Sequence, residues 1–431
     1  MIFSHGLGGN RNAYSHIAGS LASYGVVVIC PEHRDASAAL TLVRDPDNQN
    51  RFFTKNTRHV VSYQRIPHNQ DPEIWAFRNK QLRIRLWEIN HLFEAVLSLD
   101  RGNESLIKSN LNNSTPAAAL SQFTNKLDVL EPGKVIFAGH SFGAATIVQL
   151  LKSVYYGTKS HPAMAGMTSP LFVPRPGSAL SRQITSQSPA ILLDMWCFPL
   201  LSAATKALYD LPLPCYAAGG PGGSGILAIE SDQFFKWGEH LRVKARILSP
   251  DPSAERVQFA DNVSRPHFFY VEKSAHLSQS DFAILFPWLT KKAFGSDAPE
   301  RVLRLNNRAQ LQFLRNCGIK VAPTVKGDLV EGPGSESQIG EEGLENDEDI
   351  LQAVKEGTIE SWKWLDVVEL DKDGKSVYPS ELEVMKQRGA GERNLDAEKE
   401  EKGMGREMEP GIGDVVEGEA ENANTKAQNG V

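Results

Sequence analysis

One segment constrains the fold of this chain more than any other: KVIFAGHSFGAATIVQLL, residues 134 to 151. An apolar, β-favouring run leads into Gly139-His140-Ser141-Phe142-Gly143 and at once into a helical pattern, so the backbone must turn from strand to helix within a few residues. Glycines two before and two after the serine suit so tight a turn, because a side chain there would collide with the neighbouring strand or helix. Ser141 is then held in a strained turn at a helix N-terminus with its hydroxyl exposed. In that context it is expected to be a nucleophile; a plain glycine-rich turn is the bland alternative.

The rest of the chain supplies the sheet such a turn requires. Short apolar runs at Met1 to Phe3, Val26 to Cys30, Lys134 to Ala138, Ala190 to Leu193, Cys215 to Ala217 and Phe268 to Val271 are expected strands. They alternate with helical patterns at Asn12 to Tyr24, Trp75 to Leu99, Ala144 to Val154, Gln279 to Leu289 and Asn307 to Cys317, which predicts an α/β fold with a mostly parallel sheet covered by helices on both faces. Residues 155–188, rich in Pro, Gly and Ser, read as a surface insertion. Residues 331–431 hold 27 acidic against 11 basic residues, so the net charge of −6 conceals a body of +10 and a tail of −16. The division expected is a catalytic domain over 1–330 and an acidic, mostly disordered tail over 331–431, with Ile350 to Leu370 as the stretch apolar enough to fold.

Composition closes off other classes. Four cysteines without a C-x-x-C pair make neither a disulfide scaffold nor a thiolate zinc site. No apolar run is long enough to cross a membrane, and MIFSHGLGG lacks the basic start and long apolar core of a signal peptide, so a cytoplasmic location is expected. Arg78, Lys80, Arg83 and Arg85 line one helix and read as a solvated face, with contact to an anionic lipid surface as the other reading.

A serine nucleophile needs a base, and the base an orienting acid; in an α/β-hydrolase these follow in the order Ser, Asp or Glu, His, each after a strand. Asp194 ends PAILLD and is followed by MWCFPL, surroundings in which a carboxylate is expected only if paired or functional. Asp210, Asp232 and Asp251 are weaker, lying in polar loops or near proline. His276 follows the strand FFYVE after a short loop, whereas His240 sits inside a helical pattern and His267 precedes the strand. The oxyanion of ester attack wants two backbone amides. Phe142, after the nucleophile, is one candidate, and Leu7, in the His5-Gly6-Leu7-Gly8-Gly9 loop after the first strand, is the other. The run Gly220-Pro221-Gly222-Gly223-Ser224-Gly225 imitates a dinucleotide loop, but proline removes an amide and no second strand ends in the acid required. Glu369-Leu370-Asp371-Lys372-Asp373-Gly374 imitates a calcium loop, but Ser380 stands where its bidentate glutamate should be. Hydrolysis by a serine triad requires no metal or organic cofactor.

Together these blocks resemble the plasma and intracellular type II platelet-activating factor acetylhydrolases, calcium-independent phospholipases A2. FSHGLGGNRNAYSHIAGSLASYGVVV with EHRDASA resembles the oxyanion region, RNKQLRIRLWEINHLFEAVLSLDRG the long helix, GHSFGAAT the elbow, LDMWCFPL the acid segment, KSAHLSQSDF the histidine segment and NRAQLQFLRNCG the final helix. The resemblance implies an α/β-hydrolase fold, a Ser141/Asp194/His276 triad, oxyanion amides at Leu7 and Phe142, and Trp196 beside the acyl pocket. It also implies the substrate, a phospholipid whose sn-2 ester carries an acetyl or a short or oxidised acyl chain, taken from a lipid surface, with no nucleic acid partner. The family carries a long segment ahead of the FSHGLG block, so the sheet is expected to lack its first strands. A general carboxylesterase or lipase, and a catalytically dead lipid-binding fragment, are the alternatives.

Overall fold

The structure, a computed structural model, describes residues 1–44, 58–110, 116–159, 161–165, 167, 170–329, 343–354 and 359–371. Its strands are β1 (Ile2–Ser4), β2 (Leu40–Arg44), β3 (Arg58–Ser62), β4 (Phe137–His140), β5 (Ala190–Leu193), β6 (Ile226–Ser231), β7 (His267–Val271) and β8 (Trp362–Trp364). Six of them form one sheet in the order β1-β4-β5-β6-β7-β8, parallel except for the antiparallel β8, while β2 and β3 pair as a separate antiparallel hairpin.

Side chains alternate across each strand, and both faces are apolar, as a sheet covered on both sides requires. Ala190, Leu192, Ala228 and Phe268 belong to one core, Ile191, Leu193, Ile229 and Phe269 to the other. The first core is closed by α2 (Pro72–Asp100) and α3 (Phe142–Thr158), joined beyond β6 by α4 (Asp232–Lys236) and α5 (Gly238–Ile247); the second by α1 (Ser15–Ser23) and α7 (Pro299–Asn316), with α6 (Pro287–Phe294) just before α7. The long helix starts where its sequence says it should: Asp71 caps it by accepting from the Glu73 amide at 2.8 Å, and Pro72 takes the first turn, where no amide is needed.

Several expectations are corrected. Cys215 to Ala217, read as a strand, lies instead at a 3-10 turn over Pro214–Tyr216; the strand is β6, after the glycine-rich run. The three-residue run CYA follows Pro212 and Pro214 and is too short to compete with ILAIES. Val26 to Cys30 narrows to a single bridge between Ile29 and Ile2, carried by Phe3 N to Ile29 O and Ile29 N to Met1 O, both 2.9 Å. The helix expected over Gln279 to Leu289 is broken by Pro287, which begins α6. The basic row on α2 is not one solvated face: Lys80 and Arg83 are exposed, but Arg78 and Arg85 are fully buried.

Within 155–188, α3 continues to Thr158 and Leu171, Leu180 and Ile184 are buried in the first core. The fold also continues past residue 330. Trp362 stacks on Phe269 with ring centroids 4.9 Å apart, Arg308 pairs with Asp347 at 2.8 Å, and Arg246 pairs with Asp371 at 3.1 Å. These are residues of the stretch set apart as able to fold, and of its immediate flanks. The remainder of the acidic tail, including Lys372 to Ser380 of the calcium-like run, lies outside the described residues.

Candidate active site

The elbow has the geometry its sequence requires. Ser141 sits at φ 54°, ψ −119°, in the region L-residues avoid, between β4 and α3. A Cβ on Gly143 would lie 1.9 Å from the Ser4 carbonyl oxygen, and one on Gly139 would lie 2.4 Å from the Gly143 carbonyl carbon. The two glycines are therefore what lets strand, serine and helix approach. The Ser141 amide donates to Leu193 O at 2.9 Å, tying the elbow to the end of β5.

Asp194 is the next residue after that strand. It is fully buried, at φ 41°, and its amide donates to Ile229 O at 2.8 Å. Its Oδ1 accepts from the Ser231 amide at 2.6 Å and its Oδ2 faces His276 Nδ1 at 2.9 Å. Both carboxylate oxygens are thus engaged, and the second fixes the imidazole with Nδ1 as donor and Nε2 free to accept a proton. The His276 ring is clamped between Phe234, stacked at 4.3 Å and 8°, and His140, at 4.3 Å and 33°. Gln233 Oε1 accepts from the His276 amide at 3.0 Å. Burial, and secondarily the Lys244 ammonium, lower the His276 pKa to about 3, so the ring is neutral and able to act as a base. Burial raises Asp194 above the ordinary carboxylate value, opposed by Lys244 and by the Ser231 hydrogen bond.

The loop after β1 lies directly against the serine: a Cβ on Gly6 would be 3.0 Å from Ser141 Cβ. This loop is held from several sides. Arg85 donates to His5 O at 2.8 Å, the Gly6 amide to Tyr14 Oη at 3.0 Å, and the Gly8 amide to Ser37 O at 2.8 Å. Tyr14 Oη is in turn 2.8 Å from His140 Nδ1. With the amides of Gly6 and Gly8 engaged, those of Leu7 and Phe142 have no acceptor among the described residues. Trp196 donates its amide to Ser141 O at 3.2 Å, and its buried ring meets His68 at 4.9 Å, Phe198 at 5.5 Å and the Arg78 guanidinium at 5.0 Å.

All six residues named from the sequence therefore converge at the C-terminal ends of β1, β4, β5 and β7. The weaker candidates do not: Asp210 and Asp232 pair locally with Lys206 and Lys236, and Asp251 bonds Ser253. The glycine-rich run is a turn over Gly222–Gly225 packed on residues 264–266. Among the described residues, one group of side chains is close enough to hold a metal, His140, Asp194 and His276, whose ligand atoms lie within 4.8 Å of one another. Its donor set is already committed to an Asp–His hydrogen bond, which fits proton transfer better than ligation.

Sequence reasoning missed the supports. Arg85, Tyr14 and His140 brace the loop after β1; His240, dismissed as helical, is in α5 but accepts from the Cys197 amide at 2.8 Å and so holds the loop of Asp194. The alternation of α2 gave a signal for Arg78 and Arg85, since both fall at helical spacing with buried Leu82 and Ile89.

Comparison with known proteins agrees with this architecture. The family model for platelet-activating factor acetylhydrolase, isoform II, matches residues 1–334. A Schizosaccharomyces pombe protein named "Putative phospholipase A2" is 29% identical over 76% of this chain and 69% of its own length. Platelet-activating factor acetylhydrolases of Canis lupus familiaris and Bos taurus are 25% and 32% identical, over 82% and 35% of this chain and 65% and 31% of their own lengths. No helix among the described residues is long and apolar enough to cross a membrane. With a match over most of its length and the elbow, acid and histidine segments assembled in one place, the chain belongs to the platelet-activating factor acetylhydrolase isoform II family.

Proposed function

We propose that the chain is a serine hydrolase of phospholipid acyl esters, cleaving an sn-2 acetyl or a short or oxidised acyl group, with Ser141, Asp194 and His276 as its triad. The observation that carries this reading is the strained Ser141 elbow beside a neutral His276 whose Nδ1 is fixed by Asp194 at 2.9 Å. The names of the relatives support the substrate class. In this reading Ser141 Oγ attacks the sn-2 carbonyl carbon as His276 takes its proton, and the amides of Leu7 and Phe142 hold the oxyanion. The carbon–oxygen bond to the glycerol then breaks, the proton passes to the departing lysophospholipid, and water hydrolyses the acyl-enzyme with the same base. Trp196, with Phe198 and Phe142, forms the apolar wall beside the ester.

Leu285, Phe286 and Trp288 support peripheral contact with a lipid surface. They are 68, 50 and 70% exposed, adjoin Lys291 and Lys292, and follow the histidine segment directly. The buried Arg78 cannot serve that purpose. The four free thiols, Cys30, Cys197, Cys215 and Cys317, support a reducing, cytoplasmic setting. The test is ester cleavage, in EDTA, of 2-acetyl and long-chain phosphatidylcholine and of p-nitrophenyl acetate. Preference for the 2-acetyl lipid is expected; turnover of p-nitrophenyl acetate alone would replace the phospholipid reading with a general esterase.

A further inference from the structure

Tyr14 stands at the start of α1 but its side chain caps nothing on that helix, and the cap comes instead from across the molecule. Asp281 accepts from the Ser15 amide at 2.6 Å through Oδ2 and from the His16 amide at 3.0 Å through Oδ1, while its own amide donates to Ala13 O at 2.9 Å. Two of the amides that a helix start leaves unpaired are thus satisfied by one buried carboxylate. Asp281 belongs to the histidine segment: the 3-10 turn over His276–Gln279, and Ser280 after it, lead directly from His276 to it.

Tyr14, free of the capping role, turns the other way. Its Oη accepts from the Gly6 amide at 3.0 Å and lies 2.8 Å from His140 Nδ1. Because the Gly6 amide can only donate, the phenol's own hydrogen is left for Nδ1. His140 in turn rests its ring on that of His276 at 4.3 Å. The contacts close a circuit. It runs from His276 along its turn to Asp281, through the first residues of α1 to Tyr14, from Tyr14 to the loop of Leu7 and to His140, and back to the His276 ring. Each arc also has anchors of its own. Gln233, on α4, holds the His276 amide and Ser296 pairs with Ser278, while Arg85 and Ser37 hold the loop of Leu7. Those anchors keep each arc in shape; Asp281 adds the register of one against the other.

We propose that Asp281 is a positioning residue that sets the base against the oxyanion amide by locking the histidine segment to the start of α1. This rests on the triad reading above. The base must reach Ser141 Oγ while the developing oxyanion meets the Leu7 amide, and an error of about 1 Å between them costs about a hundredfold in rate. Asp281 acts through α1 and the two loops, not on the ester.

The test is kcat and KM for p-nitrophenyl acetate, with thermal unfolding, in the full chain and its Asp281→Ala, Asp281→Asn, Tyr14→Phe and Ala22→Gly variants. Asp281→Ala should lower kcat about a hundredfold with KM within about twofold, because the misfit is felt where charge develops. Asp281→Asn keeps one acceptor oxygen and should lose about tenfold. Asp281→Ala combined with Tyr14→Phe should be no slower than Asp281→Ala alone, since both open the same circuit. Ala22→Gly weakens the exposed last turn of α1 and leaves its start intact, so it should lower the unfolding temperature without lowering kcat. An unchanged kcat in folded Asp281→Ala, a loss that appears in KM, or losses that multiply with Tyr14→Phe would overturn the proposal. So would a fall in kcat for Ala22→Gly equal to that for Asp281→Asn, since activity would then follow helix stability alone. Where Asp281→Ala does not fold, Asp281→Asn decides by the same comparison of kcat with KM. Turnover surviving Ser141→Ala would sink the triad reading itself, whereas Ser141-dependent turnover indifferent to residue 281 sinks only this inference.

Discussion

The Ser141 side of the site, at β4 and the loop after β1, is held by backbones in contact: Gly143 against Ser4, Gly6 against Ser141, and the Gly6 and Gly8 amides on Tyr14 and Ser37. The Asp194–His276 side, at β5, β6 and α5, is held by buried polar pairs and aromatic clamps from residues far apart in sequence. One side depends on space, the other on charge. Substitutions on the first should therefore act through folding and geometry, and substitutions on the second should appear in the pH dependence of turnover.

The largest effect should come from Gly143→Ala. Its new Cβ would fall 1.9 Å from a strand carbonyl, a collision no rotamer relieves, and about 4 kcal/mol or more of stability should be lost in denaturant unfolding. Unchanged stability would break the steric account of the elbow. Next, Asp194→Asn should lower kcat by roughly 10³- to 10⁴-fold in steady-state kinetics, because an amide can donate to His276 and so select the wrong tautomer.

The pH profile sharpens the contrast further. Protonating Asp194 removes the anion that balances imidazolium, and burial raises this carboxyl above its ordinary value of about 3.9, so activity should fall on acidification while the pH is still above that value. A limb at or below the ordinary value would mean that Asp194 is better solvated than its burial implies. Tyr14→Phe, on the spatial side, should lower kcat about tenfold without moving that limb, since it frees the Gly6 amide and His140 Nδ1 but changes no charge. Smallest of all, Asp210→Asn, which breaks only the exposed pair with Lys206, should change stability by less than about 0.5 kcal/mol and leave kcat unchanged.

The same division explains how much was legible in the sequence. The elbow could be read because its physics is local: the glycines, the strand and the helix are contiguous in KVIFAGHSFGAATIVQLL. Asp194 and His276 could be read because each follows an apolar run, and the loop of Leu7 because it follows another. The six-stranded sheet was legible in outline but not at Ile226–Ser231, where a glycine-rich turn drew the strand assignment towards Cys215. Nor was β8, which pairs with β7 across most of a hundred residues of intervening chain. Lys244, Glu230 and His240 left no trace, since an amphipathic helix and an apolar strand look the same whether a lysine snorkels to water or meets a carboxylate inside. Arg85 was taken for a surface charge although its helical spacing with Leu82 and Ile89 marked it as inward-facing, and it pairs with Asp35 at 2.7 Å in complete burial.

The most direct test of the central claim is to treat the folded chain with a fluorophosphonate and locate the adduct by peptide mass spectrometry. A single adduct on Ser141, absent from the His276→Ala variant, is the predicted result. Folded protein that takes no label, or takes it on another serine, would contradict the assignment of Ser141 as a nucleophile activated by His276.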